Sequence, residues 1–175
     1  MEKQIAIILG SDSDLETMSP AAKILEEFGI NYEITISSAH RSPEKTSELV
    51  KNYYENGVKV IIAGAGLAAH LAGTIAAHFP LPVIGVPFKR GALNGIDSLF
   101  STVQMPPGIP VATVGIDGAK NAGLLAVQIL ATSDKNLEKK LLEYKKKMAQ
   151  DVNAKAEKIE KIGWEKYLDE RNLKS

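Results

Sequence analysis

The chain has 175 residues, 45% of them hydrophobic and 24% charged, and its 21 Lys and Arg balance its 21 Asp and Glu. That length is one α/β domain able to bury a core, and the composition excludes a disordered chain. Zero net charge leaves no basic footprint for nucleic acid, while the lack of cysteine excludes disulfides, thiolate metal sites and cysteine nucleophiles.

Residues 4–9 are almost wholly apolar and end at Gly10, the pattern of a parallel strand covered on both faces. Residues 14–28 repeat apolar side chains at helical spacing (Leu15, Met18, Ala22, Leu25, Phe28), and Gly29 stands where a helix stops. Residues 32–37 alternate as a strand, and Ser42-Pro43 opens a second helix that ends near Gly57. Further strands are predicted over 58–63, 81–86 and 111–116, with helices over 68–78 and 119–131. The stretch 87–110 is rich in glycine and proline and reads as one long irregular connection, of the kind that walls a site or meets another subunit.

Strands alternating with helices across short turns predict a three-layer αβα sandwich with a mainly parallel, doubly wound sheet. Ligands in that architecture bind beyond the carboxyl ends of the strands. Residues 1–133 form the predicted catalytic domain. Residues 134–175 form a charged helical extension, in which an apolar stripe (Leu137, Leu141, Tyr144, Met148, Val152, Ile159) marks one helix from Asp134 to about Ile162, about 40 Å long at 1.5 Å per residue. That length favours packing on a neighbouring subunit over packing on its own domain. The longest apolar candidate for a membrane span, 58–77, is interrupted by three glycines and His70, and the first residues have no signal-peptide layout. A cytoplasmic enzyme is expected.

Three strand-end loops carry chemistry. Gly10-Ser11-Asp12-Ser13-Asp14 offers hydroxyls and backbone N–H groups at a helix start, an anion site, although Ser and Asp also serve as ordinary N-caps. Asp14 repels phosphate, so ribose hydroxyls suit it better. Ser37-Ser38-Ala39-His40-Arg41-Ser42 sets an imidazole, which exchanges protons near neutrality, beside a guanidinium fork suited to phosphate. Ala63-Gly64-Ala65-Gly66-Leu67-Ala68-Ala69-His70-Leu71 formally matches a dinucleotide fingerprint. It follows the third strand, however, and lacks the acidic ribose partner. Small residues that admit a flat ligand close to the backbone explain it better, with His70 starting the helix that faces the same space. His78, at a helix end, complements the dipole there.

Taken in order, Gly-Ser-Asp-Ser-Asp, Ser-Ala-His-Arg, Ala-Gly-Ala-Gly-x-Ala-Ala-His-Leu, Asp-Ser-Leu and Gln-Met-Pro resemble the class I carboxyaminoimidazole ribonucleotide mutases of purine biosynthesis, over about residues 4–132. The resemblance implies a flavodoxin-like subunit of a homo-octamer, without metal or organic cofactor, acting on a phosphorylated aminoimidazole ribonucleotide. It places the family's substrate-binding groups on Ser11, Asp14 and Arg41, with Ser13 beside them. Ser38, Ala39, Gly66, Ala68, Ala69 and Leu71 are expected to line the same site. The family's proton-transfer histidine falls on His40, and His70 helps to shape and polarise the pocket. Leu67 stands where the family usually has Gly, Ala72 where it has Pro, and Phe88-Lys89-Arg90 where its residues are usually smaller and less charged. These departures bear on substrate fit.

Direct carboxylation of aminoimidazole ribonucleotide by carbon dioxide is the nearest alternative. The Gly-x-Ala-Ala-His-Leu loop favours the mutase, because the family's direct carboxylases resemble one another in a different, Ser-Asn-containing loop. A receiver domain requires Asp at the end of the third strand, where Ala63-Gly64 stand. A flavin carrier requires aromatic rings, only 6% of this chain. A P-loop enzyme requires Gly-Lys-Ser/Thr after a strand, which is absent.

Overall fold

The structure, a computed structural model, describes residues 3–173. They fall into two compact units that meet between Ser133 and Asp134.

The first unit is built on five parallel strands: β1 (Ile5–Leu9), β2 (Tyr32–Ile36), β3 (Val60–Gly66), β4 (Val83–Phe88) and β5 (Ala112–Thr113), in the order β2-β1-β3-β4-β5. β1 and β4 are buried along their whole length, as central parallel strands must be. Side chains alternate between two faces. Ala6, Ile8, Ile61 and Ala63 belong to the core that includes Val50 of α2 (Pro43–Glu55) and Leu71 and Ile75 of α3 (Leu71–His78). On the other face lie α1 (Leu15–Phe28) and α5 (Ala119–Ala131). These two approach so closely that a Cβ on Gly123 would stand 2.9 Å from the carbonyl oxygen of Ala21. Pro20 sits inside α1 without an N–H to give Glu16, and the Ser19 hydroxyl donates to that carbonyl at 2.9 Å instead.

Several elements differ from the sequence reading. The predicted third strand ends at 63, but β3 continues through Gly64 to Gly66. A Cβ on Gly64 would stand 2.4 Å from the Phe88 ring and 2.5 Å from the Met18 methyl. This glycine therefore makes room for core side chains, not for a ligand. The stretch 87–110 is not one irregular loop: Ile96–Val103 form α4. Its Ser98 hydroxyl donates to the carbonyls of Phe88 (2.8 Å) and Gly95 (2.9 Å), which fastens the helix to the end of β4. Met105 packs at Gly73, its sulfur 3.1 Å from where a Cβ would be. α3 begins at Leu71 rather than 68, because 67–70 make two tight turns, Ala69 N–H to Leu67 O (2.8 Å) and His70 N–H to Ala68 O (2.9 Å). β5 is two residues long, and not 111–116.

The second unit holds α6 (Lys135–Ile162) and α7 (Trp164–Asn172). Asp134 caps α6, its carboxylate accepting from the N–H groups of Asn136 (2.8 Å) and Leu137 (3.2 Å). Gly163, at φ 78°, ends it. α7 lies beyond the single helix read from the sequence. It turns back on α6, where Lys158 pairs with Glu170 and stands 5.8 Å from the Tyr167 ring centroid.

Candidate active site

β2 lies on one side of β1 and β3 on the other, so the loops leaving these strands diverge and open a crevice at their carboxyl ends. A cavity of about 590 Å³ occupies it, walled by residues from the ends of β1, β2, β3 and β4. All twelve residues singled out in the sequence line it: Ser11, Ser13, Asp14, Ser38, Ala39, His40, Arg41, Gly66, Ala68, Ala69, His70 and Leu71. Leu67 and Arg90, read from the sequence only as departures that bear on substrate fit, line it as well, as does Gly91.

The loop after β1 forms a 3-10 turn, Asp12–Asp14, with Ser11 as its N-cap. The Ser11 hydroxyl donates to the Asp12 carboxylate at 3.0 Å and accepts from the Ser13 hydroxyl at 3.1 Å. The bond from Ser11, followed by the backbone N–H of Ser13, holds the Asp12 carboxyl below the usual carboxylate range. Asp14 is only 4% exposed, and burial pushes its carboxyl up while the Arg90 guanidinium opposes that rise.

The loop after β2 is fastened from below. The buried hydroxyls of Ser37 and Thr46 meet at 2.8 Å, Thr46 Oγ1 also reaches the Ser42 carbonyl at 3.0 Å, and Ser42 N–H donates to Ser38 O at 2.8 Å. The Ser38 hydroxyl accepts from the backbone N–H (3.3 Å) and Nε (3.4 Å) of Arg41. It therefore organises the arginine, whose remaining guanidinium donors face the exposed rim.

His70 is the N-cap residue of α3 rather than a residue within the helix. Its ring lies 3.8 Å from that of His40, centroid to centroid, at 39°. Burial first, and then the neighbouring His40, lower the pKa of His70 below the ordinary imidazole value. His70 therefore favours its neutral form. His78 closes the last turn of α3, away from the cavity.

Leu67 adopts φ 56°, a left-handed conformation that a branched side chain seldom takes. Its Cδ2 stands 2.9 Å from where a Cβ on Gly91 would be. Arg90 covers Gly66, its Cγ 2.4 Å from the place of a Cβ there. The wall at Gly66 is thus closed by a protein side chain. Arg90 bonds Asp14 through Nε (3.2 Å) and Nη2 (2.9 Å). The sequence marks Arg90 only as a departure that bears on substrate fit; its pairing with Asp14 is not legible there, because the two lie 76 residues apart. The available signal was a cation just past an apolar strand, where ligand loops begin.

Among the described residues, no group of three or more His, Cys, Asp or Glu is arranged to hold a metal, and no helix is long and apolar enough to cross a membrane.

A flavodoxin-like sheet with paired imidazoles and guanidinium groups lining a cavity at its carboxyl edge defines the class, an α/β enzyme. The family model described as AIR carboxylase matches residues 4–151. The N5-carboxyaminoimidazole ribonucleotide mutase of Pyrococcus horikoshii is 60% identical over 166 residues, covering 95% of this chain and 94% of that one. The mutase of the same name from Thermotoga maritima is 56% identical, covering 96% of this chain and 98% of that one. The phosphoribosylaminoimidazole carboxylase of Saccharomyces cerevisiae is 50% identical across 95% of this chain, which corresponds to 29% of that protein. The crystal structure of Treponema denticola PurE superposes with a TM-score of 0.80 at 31% identity, over 90% of this chain and 97% of that one. The chain belongs to the AIR carboxylase family. It is an enzyme of the isomerase (mutase) kind.

Proposed function

We propose that the chain interconverts N5-carboxyaminoimidazole ribonucleotide and carboxyaminoimidazole ribonucleotide in purine biosynthesis, with His40 as the proton carrier. The observation that carries this reading is the His40–His70 pair, 3.8 Å apart at a cavity with an apolar wall of Ala68, Ala69 and Leu71. Relatives of similar length bear the mutase name, while the carboxylases it matches are far longer, which supports the mutase over direct carboxylation of aminoimidazole ribonucleotide.

In the forward direction the carbamate C–N bond breaks, carbon dioxide leaves, and the exocyclic nitrogen takes a proton from the His40 imidazolium. The ring carbon then attacks the retained carbon dioxide, and neutral His40 removes the proton from that carbon. The proton count closes on one imidazole, and no cofactor is needed. Neutral His70 keeps a second positive charge away from the carrier and presents a polar edge to the carboxylate. Retaining both fragments in one cavity avoids a bimolecular encounter, an advantage of up to about 7–11 kcal/mol in favourable intramolecular reactions. Arg41 and the Ser11 and Ser13 hydroxyls bind the phosphate, and Asp14 accepts from the ribose.

The reading extends to a cytoplasmic homo-octamer. Supporting assembly is an exposed apolar face on α4, where Ile96, Phe100 and Val103 recur at helical spacing. The residues Leu142, Met148 and Val152 of α6 are likewise exposed on the single chain and suit a neighbouring subunit.

The deciding assay offers the N-carboxy nucleotide and, separately, aminoimidazole ribonucleotide with bicarbonate. Fast conversion of the first alone is expected. Turnover of the second alone would make the chain a direct carboxylase, and inactivity on both would sink this reading.

A further inference from the structure

We propose that Arg90 is the positioning residue for Asp14: its guanidinium anchors one carboxylate oxygen and so aims the other at the ribose hydroxyls of the bound nucleotide. This rests on the functional reading above for the ligand, and on the following geometry for the role.

Arg90 is committed to the protein. Nε and Nη2 donate to Asp14 Oδ1 at 3.2 and 2.9 Å, Nη2 also to the Ser13 carbonyl at 3.0 Å, and Nη1 to the Lys89 carbonyl at 3.1 Å. Its guanidinium carbon stands 5.9 Å from the Phe88 ring centroid, and its stem lies against Gly66. A guanidinium held on so many sides is not free to follow a phosphate, as the loosely tied Arg41 is. Both bonds to the carboxylate end on Oδ1. Oδ2 takes neither, and Asp14 belongs to the cavity wall.

The backbone beneath Arg90 is also fixed. The Phe88 carbonyl accepts from Ser98 at 2.8 Å, and Lys89 N–H donates to the Asp117 carboxylate at 2.9 Å. Asp117 N–H in turn donates to the Pro87 carbonyl at 2.9 Å. The loops after β4 and β5 are thereby tied to each other, so the guanidinium starts from a defined place. An Arg fork bonded to a carboxylate sets both its charge and its orientation.

The electrostatics agree. Burial is the largest influence and leaves the Asp14 carboxyl above the usual range; Arg90, and after it the Ser11 backbone N–H, oppose that rise, and Asp12 on the same turn adds to it. From the other elements around the cavity, Arg41, His40 and His70 face the same space. None of these three is bonded to the carboxylate, whereas Arg90 is. Without it, Asp14 would take up a proton at higher pH and lose its fixed direction, and binding would suffer before chemistry.

The test uses the full-length chain and two variants. Arg90→Met keeps the stem and removes the charge; Arg90→Lys keeps the charge without the fork. The Asp14 carboxyl is titrated by carbon-13 NMR without substrate, and KM and kcat are measured across pH with the N-carboxy nucleotide. In Arg90→Met, Asp14 should titrate at higher pH and KM should rise about 10–100-fold near neutrality, the span of a hydrogen bond to a charged group. The change in kcat should be much smaller, and part of the KM loss should return as pH is raised. Arg90→Lys should restore most of the titration but only part of the KM. An unmoved Asp14 titration, an unchanged KM, or an equal loss in kcat would overturn the role. Should Arg90→Met not fold, Arg90→Lys decides by the same readouts: a wild-type KM in that variant would overturn it. Wild-type inactivity on the nucleotide would reject the functional reading, whereas the substrate-free titration reports on the Arg90–Asp14 coupling by itself.

Discussion

The two walls of the cavity are built differently. On one side Asp14 is buried and Arg90 is held by bonds to Asp14, Ser13 and Lys89, over a backbone tied by Ser98 and Asp117. On the other side His40 and Arg41 are exposed. The Arg41 side chain bonds Ser38 and acts on Asp12 through its charge, and the His40 ring has His70 as its neighbour. A group that binds gains from being fixed in advance, because its ordering is already complete when ligand arrives. A group that exchanges protons needs unsatisfied donor and acceptor positions. Under the proposed function, the tied wall takes the sugar and, through Ser11 and Ser13, part of the phosphate, while the open wall adds Arg41 and the proton carrier.

The strongest way to break this comparison is at the open wall. His40→Asn keeps size and polarity but removes the titratable ring, so kcat should fall about 10²–10⁴-fold, the usual worth of a general acid/base. Substrate affinity, measured by calorimetry, should stay within a few-fold. Substantial residual turnover would move the proton carrier elsewhere, His70 first.

At the tied wall the expected effect is smaller and concerns stability. Leu67 carries a left-handed backbone that costs roughly 1–2 kcal/mol for a residue with a Cβ. Leu67→Gly removes this strain but gives the unfolded chain more freedom, worth roughly 0.5–1 kcal/mol. Urea unfolding should therefore show a net gain of up to about 1.5 kcal/mol. A loss instead would show that the contact of Leu67 with Gly91 outweighs its strain.

The smallest effect is a pH slope. His70 binds its proton less tightly when folded than an ordinary imidazole does, because burial and His40 oppose the charge. Below about pH 6.5 the unfolded chain therefore binds more protons than the folded one. Stability falls as pH drops from there through the lowered folded value, and this contribution is level above it. His70→Asn should flatten that slope in denaturation series at several pH values. An identical slope in both proteins would contradict the assignment of His70 as the neutral member of the pair.

The sheet was largely legible because β1 and β4 are continuous apolar runs and because Gly29 marks a helix end in the left-handed region. The strand-end loops followed from the same pattern, so the residues of the cavity could be named in advance. α4 was hidden by its flanks. Gly91 and Gly95 before it and Pro106-Pro107 after it signal turns, and Gly95 offers no side-chain cap. Yet Ile96, Phe100 and Val103 do repeat at helical spacing within it. The end of β3 was read as loop because Gly64 and Gly66 look like ligand space, and only the folded chain shows Phe88, Met18 and Arg90 occupying it. The end of the long helix near Ile162 was legible, but α7 beyond it reads from the sequence as charged tail and not as a separate helix. The tie of Arg90 to Asp14 was invisible because it joins chain segments with no local relation.

The end of β3 also bears on how this enzyme can change over time. At Gly64 any side chain would meet the Phe88 ring, and at Gly66 the stem of Arg90. A stretch of the site beside β1 is therefore closed to substitution unless a second residue shrinks at once. Drift in ligand preference then has to enter through Leu67 and Arg90, which sit over that fixed floor: a change at Leu67 alters its size, whereas a change at Arg90 also alters the charge beside Asp14. Gly64 depends on Phe88 staying a core ring, whereas a change at Arg90 releases Gly66 and opens a path that its present neighbour blocks.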